Sequence, residues 1–284
     1  MDYTEVQVSA AVDSGDLMGM LRDIEPLGAW ESEGVIHLFW PADSWSERSR
    51  QDLEQALVRL GIDTGAARIT IAQVEDQDWN ARWVASVQPV QIGRRVLIRQ
   101  SWNAAIPRPG GFALIIDPKR AFGTGYHATT QLLVEWLEDT IESGERVLDV
   151  GTGSGILAMV ALRLGARSAL AIDNDPVAIE CARENAMINS FGSELQFRTV
   201  SLNRMGNELF DLVVANLDRR AILDFSDRLI RSLRVEGRLL VSGILMDDAT
   251  DASAALASCG GEVVGRRERE EWLAFEARLK KPEA

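Results

Sequence analysis

Val147-Leu-Asp-Val-Gly-Thr-Gly-Ser-Gly155 is the stretch on which the fold turns. It reads as a buried strand that runs to Asp149, a glycine-rich turn, and a helix that begins near Ile156. Glycines in such a turn accept positive φ and let the backbone approach a ligand. The helix behind the turn offers free N–H groups at its start. A turn that holds a dinucleotide pyrophosphate reads Gly-x-Gly-x-x-Gly. Here Gly151 and Gly153 fit, but the third position is Ile156 and the extra glycine is Gly155. The pattern points away from a dinucleotide and toward a ligand without a pyrophosphate. The competing reading is a tight turn with no ligand, and residues further along the chain weigh against it.

Asp173 stands 22 residues after Gly151, at the end of the next apolar strand. An acidic side chain at that place accepts hydrogen bonds from both hydroxyls of a ribose. Asn174 and Asp175 extend the acidic tip, Asp175 reads as a helix cap, and Pro176 suits the first turn of the next helix. Further on, Val213-Val-Ala-Asn-Leu217 ends a fourth strand, and Asn216 is placed to meet a cofactor or an amine. Strands are expected over 146–150, 169–172, 195–200, 211–215 and 238–242, with helices over 154–164, 176–189, 219–233 and 247–258. Such alternation calls for a parallel sheet covered on both faces. The segments 262–267 and 272–279 come next with only a short connection, which predicts a terminal antiparallel hairpin.

Upstream, Asp117-Pro-Lys-Arg-Ala-Phe-Gly-Thr-Gly-Tyr-His-Ala-Thr-Thr130 leads into the helix before the glycine turn. Its glycines make a loop that is expected to act as a lid, and Thr129 and Thr130 open the helix. His127 is expected to make a structural hydrogen bond. Val87 to Gln100 reads as a hairpin around Gly93. Residues 76–86 read as a linker helix with Trp79 and Trp83 on one face. Before it, segments 5–11, 29–33, 35–40 and 68–74 read as strands, and 13–23 and 44–60 as helices. The order strand, helix, strand, strand, helix, strand is that of the ferredoxin-like split motif. The domains expected are thus 1–75, the linker 76–86, and 87–284 with its opening hairpin at 87–103.

The chain carries 30 Lys and Arg against 43 Asp and Glu, a net charge of −13. Residues 1–75 hold 14 acidic and 5 basic side chains, so this segment alone carries −9. Acidity of that size repels phosphate backbones; it reads equally as attraction for a basic protein and as a surface charge that keeps the protein soluble. No direct nucleic-acid partner is expected. The apolar runs are too short to span a bilayer and no secretory signal is legible, so no membrane association is expected. Two cysteines and two histidines lack metal-ligand spacing, and no metal is expected. These features together read as cytoplasmic.

The loop 117–130, the glycine turn and Asn216-Leu217 together resemble the methyltransferases of large-subunit ribosomal protein eleven, the PrmA-type family. That family carries a motif close to Phe-Gly-Thr-Gly-x-His-Pro-Thr-Thr ahead of Asp-x-Gly-x-Gly-Ser-Gly-Ile-Leu. The resemblance extends to the Trp-rich linker, Ser242-Gly-Ile-Leu245 and Glu271-Trp272. It implies a Rossmann-like, seven-stranded class I methyltransferase domain behind a ferredoxin-like recognition domain, with S-adenosylmethionine as cofactor. It places cofactor contacts at Thr130, Gly151, Asp173 and Asn216; Asp149 and Gly153 of the turn complete the candidate set, with Asn216 as candidate catalytic residue. The implied substrate is an amine, α-amino or lysine, of a ribosomal large-subunit protein. The alternatives are a lysine methyltransferase of another protein and a non-catalytic cofactor-binding module. Three departures stand out: Tyr126, Ala128 in place of proline, and Asp218-Arg219-Arg220 after Asn216-Leu217.

Overall fold

A computed structural model describes residues 3–10, 17, 21, 26, 28–32, 34–63, 68–74, 88–117 and 122–280. The chain divides into two compact units, Met1–Val87 and Gln88–Ala284. The linker helix expected over 76–86, with Trp79 and Trp83, lies outside the described residues.

In the first unit, β1 (Tyr3–Ser9), β2 (Gly28–Ser32), β3 (Val35–Pro41) and β4 (Arg68–Val74) form an antiparallel sheet in the order β2-β3-β1-β4. Helix α1 (Glu47–Arg59) starts at Ser46, whose hydroxyl accepts from the Ser49 N–H while the Ser49 side chain answers on the Ser46 N–H. This reciprocal cap satisfies two N–H groups that a helix start leaves open. Strand positions alternate and helix positions recur every three to four residues, so Val6, Val8, Ile36 and Leu38 meet Leu53, Ala56 and Leu57 in one core. The helix expected over 13–23 falls outside the described residues except for Leu17 and Leu21, which are buried in that core.

The second unit opens with β5 (Val90–Ile92) and β6 (Val96–Arg99), the expected hairpin. An unexpected strand, β7 (Phe112–Ile115), lies parallel to β6. Helix α2 (Ala128–Thr140) leads to the main sheet. Its elements are β8 (Arg146–Val150), α3 (Ile156–Leu164), β9 (Ser168–Asp173), α4 (Pro176–Ile188), β10 (Leu195–Thr199), β11 (Phe210–Asn216), α5 (Arg219–Arg231), β12 (Leu233–Leu245), α6 (Ala249–Ser258), β13 (Gly261–Arg269) and β14 (Trp272–Leu279). The sheet order is β10-β9-β8-β11-β12-β14-β13, and β14 runs antiparallel to both neighbours. This is the Rossmann-like class I methyltransferase architecture.

Period-two alternation along each strand feeds both faces of this sheet. Val147 packs in the core with Leu133, Trp136 and Ala158, whereas Leu148 packs with Ile222, Leu229 and Leu256. Strand order reverses between β8 and β11, so the ends of these two strands flank a crevice. Among the described residues no helix is long and apolar enough to cross a membrane.

Candidate functional site

A cleft of about 640 Å³ opens at that crevice, and Gly151, Gly153, Asp173 and Asn216 all line it. Its size is within the range of small-molecule sites. Gly151 and Gly153 hold φ of 68° and 53°. A Cβ at Gly151 would stand 2.6 Å from Leu217 Cδ2, and one at Gly153 would stand 2.5 Å from the Phe122 carbonyl oxygen. Gly153 therefore needs glycine on two counts, conformation and space, whereas at Gly151 the Leu217 methyl can give way and the positive φ is what favours glycine. The Gly151 and Thr152 N–H groups both donate to the Ile172 carbonyl, which fastens the turn to the end of β9.

Asp149 is fully buried beneath this turn. Its Oδ2 accepts from Thr152 Oγ1 at 2.6 Å and from the Ala158 N–H at 3.1 Å, so it caps α3, which has no capping side chain at Gly155. Its Oδ1 has no partner. Burial pushes this carboxyl up to about 7, against the two hydrogen bonds that favour its charge. Asp149 is thus placed behind the cleft wall and acts by holding the turn.

Asp173, at the end of β9, accepts from the Gly153 N–H through Oδ2 at 3.0 Å and from the Asp175 N–H through Oδ1 at 3.1 Å. These two bonds fix the carboxylate plane, and each oxygen keeps a further lone pair for a hydroxyl. Asp175 caps α4 through the Val177 N–H at 2.8 Å, as its place in the sequence predicts.

Asn216 closes the opposite side. Its Nδ2 donates to Thr129 Oγ1 at 3.1 Å and to Thr130 Oγ1 at 3.2 Å. Both amide hydrogens are thereby taken, and Oδ1 is the atom left to accept from a ligand. Thr130 is 1% exposed and stands behind the wall; its neighbour Thr129 lines the cleft. His127 caps α2, with Nδ1 2.7 Å from Thr129 Oγ1, which is the structural bond expected of it. It also faces the cleft beside Trp272, with ring centroids 4.9 Å apart, and Phe122, at 5.5 Å.

The loop expected to act as a lid is fastened to the turn. The Ser154 N–H donates to the Phe122 carbonyl at 2.9 Å, and Ser154 Oγ donates to the Gly123 carbonyl at 2.6 Å. Residues 118–121 of that loop lie outside the described residues.

Sequence reasoning missed Ser201 and Leu202, which line the cleft after β10, and Gly243, which lines it after Ser242. Ser201-Leu-Asn-Arg204 forms a single 3-10 turn with no periodicity to signal it. Gly243 had a signal, since it sits within the Ser242-Gly-Ile-Leu245 motif. A Cβ there would fall 2.1 Å from the Leu217 carbonyl oxygen, so only glycine lets β12 pass that close to the Asn216-Leu217 end.

A glycine turn held at positive φ on the cleft wall, a fixed carboxylate with spare acceptors and a free amide oxygen suit a nucleoside bearing an amino-acid tail, as in S-adenosylmethionine. The chain matches the family described as Ribosomal protein L11 methyltransferase (PrmA) over residues 18–280. It is 34% identical over 266 residues to the ribosomal protein L11 methyltransferase of Exiguobacterium sp., covering 93% of this chain and 85% of that one. It is 40% identical over 233 residues to that of Symbiobacterium thermophilum, covering 79% and 76%. Among solved structures, a ribosomal protein L11 methylase from Lactobacillus delbrueckii subsp. bulgaricus superposes with a TM-score of 0.65 at 31% identity, covering 69% of this chain and 100% of that chain. Fold, cleft and kinship agree, and the chain belongs to the ribosomal protein L11 methyltransferase family.

Proposed function

We propose that this chain transfers methyl groups from S-adenosylmethionine to amines, α-amino and lysine, of ribosomal protein L11, in the cytoplasm. The observation that carries the reading is the Asp173 carboxylate, held by the Gly153 N–H beside the glycine turn at the strand-order reversal. It offers two acceptors to ribose hydroxyls where a pyrophosphate-binding third glycine is lacking. Residues 1–75, whose sheet order suits a ferredoxin-like split, serve as the recognition domain. Residues 76–86 link it to the catalytic domain, 87–284. Free Cys181 and Cys259 accord with a reducing compartment.

When bound, the cofactor supplies a methyl group made electrophilic by a sulfonium. Asp173 holds the ribose, and the glycine turn lets the main chain approach without a side chain between. Asn216 Oδ1, left free by its two donated bonds, would accept an N–H of the incoming amine and so fix the direction of the nitrogen lone pair. This alignment is the chief catalytic service the residues perform. The amine must first lose a proton, which goes to solvent. At pH 7 that costs about 4.6 kcal/mol for a lysine of pKa roughly 10.4, and about 1 kcal/mol for an α-amine near 7.8. Partial desolvation among Phe122, His127 and Trp272 lowers either cost.

The test is methyl transfer from labelled S-adenosylmethionine into a total ribosomal-protein extract, followed by mass spectrometry. Label on protein L11 supports the proposal. Label confined to another protein moves the substrate and keeps the chemistry, and cofactor binding with no label on any protein defeats the proposed activity.

A further inference from the structure

Asp218 departs from what a merely structural cap requires. One oxygen, Oδ1, accepts from the Ala221 N–H at 2.8 Å and so caps α5. Asp218 is exposed and lines the cleft directly after Asn216-Leu217. Neither neighbouring arginine forms an ion pair with it. Arg219 pairs with Asp248 at 3.0 Å and Asp251 at 2.5 Å, and Arg220 points toward Asp224 at 3.9 Å. Among the described residues the cleft lining holds three carboxylates, Asp173, Asp175 and Asp218, and no lysine or arginine.

The three carboxylates are not equivalent. Asp173 and Asp175 stand at the end of β9, whereas Asp218 comes after β11, on the far side of β8. Two strand spacings separate these sides by about 10 Å. With a ribose at Asp173 and an amine at Asn216, Asp218 is the acid beside the reacting nitrogen. Apolar side chains start at the same point: Leu217 precedes the cap, Ala221 and Phe225 lie one turn apart on α5, and all three line the cleft. An acid beside such apolar side chains matches a cation on a methylene stem.

We infer that Asp218 is the specificity-determining residue that receives a lysine acceptor, its carboxylate pairing with the ε-ammonium while the stem lies along Leu217, Ala221 and Phe225. The inference rests on the proposed amine methylation and names the acceptor side chain that this edge prefers. Asp218 acts on capture: the ammonium leaves it, loses its proton to solvent and meets Asn216 as a neutral amine. Its removal therefore weakens binding of acceptor and leaves the chemical step largely intact.

Asparagine and serine cap helices about as well as aspartate, so Asp218→Asn and Asp218→Ser remove the charge and keep the cap. The acceptors are two fluorescent peptides of one sequence: one with an acetylated N-terminus and a single lysine, its twin with a free α-amine and norleucine in place of lysine. Kd is measured on the full chain saturated with S-adenosylhomocysteine, and kcat and KM on the active enzyme. In both variants the lysine peptide loses about three- to fivefold in Kd and KM, the scale of an exposed ion pair, with kcat within about twofold. The norleucine twin is unaffected. The inference is overturned if wild type shows no preference for the lysine peptide, if its Kd is unchanged in both variants, or if both peptides weaken alike. Wild type that binds the lysine peptide but methylates no protein sinks the proposed activity, and the Kd comparison still decides on Asp218.

Discussion

Asn216 owes its orientation to two hydroxyls contributed by the start of a helix more than eighty residues earlier in the chain. Alanine at this position would remove the acceptor atom and release Thr129 and Thr130 together. Asn216→Ala is expected to lower kcat well beyond tenfold while the fold persists; turnover equal to wild type, with an unchanged circular dichroism spectrum, would refute the role given to it. Asp149 has a different consequence. Its folded pKa, about 7, lies above its ordinary value of 3.8. Between these values the folded protein keeps a proton that the unfolded chain has released, so its contribution to stability declines as pH rises from about 4 to 7. The full decline is on the order of 4 kcal/mol. Asp139, Glu208 and Asp211 act in the opposite sense. Arg94 holds Asp139 low and Arg198 holds Glu208 low, while the Arg146 N–H and Arg234 outweigh the burial of Asp211. Their contribution is present above about pH 4 and is lost below it. Urea unfolding should thus show greatest stability near pH 5, and the decline toward pH 7 should vanish in Asp149→Asn. At this scale the sequence named the four residues on the cleft wall, since each closes a strand or turn. It did not separate Thr130 and Asp149, which stand behind that wall, because burial of one particular threonine or aspartate depends on tertiary packing.

Among elements, β12 departs most from its expected length. It runs Leu233–Leu245 where the sequence predicts 238–242, and the strand continues through Glu236, at φ 67°, and Gly237. β7 was illegible for another reason: four residues between turn-rich segments carry no period long enough to count. Glycine, proline and alternation made the remaining strands of the main sheet readable to within about two residues. The opposite end of this sheet from the cleft holds a different kind of contact. Arg238 on β12 meets Glu145, just before β8, through two bonds of 2.6 and 3.0 Å, and its second nitrogen also donates to the Thr140 carbonyl. Both side chains are about 9% exposed. Removing one partner would leave a buried charge alone, so Glu145→Ala is expected to cost about 3–5 kcal/mol in chemical denaturation. Because the pair lies far from Asn216, kcat measured well below the melting temperature should be unchanged.

At the level of the whole molecule, charge is the property that sequence shows best and contacts show least. The −9 carried by residues 1–75 sums over side chains that need not touch anything to be felt by a basic partner. Screening acts over a Debye length of about 10 Å at 0.1 M salt. The KM for a ribosomal-protein acceptor should therefore climb severalfold between about 50 and about 300 mM salt, while the KM for cofactor stays level. A salt-independent KM for the protein would remove electrostatics from recognition. The parallel sheet, its antiparallel finish and the cleft at the strand-order reversal were legible as a set, since alternating helix and strand signals leave few ways to cover both faces of a sheet. Which residues of the first unit meet a partner was not legible, because recognition by charge has no motif.

The position of β14 carries a consequence for how the protein comes into being. Among the described residues it comes after every other strand in chain order, yet it lies between β12 and β13 and begins with Trp272, a wall of the cleft. A nascent chain halted before Trp272 would hold every residue of the glycine turn, yet its sheet would stop at an open β12 edge, β13 would have no partner, and the cleft would lack its Trp272 wall.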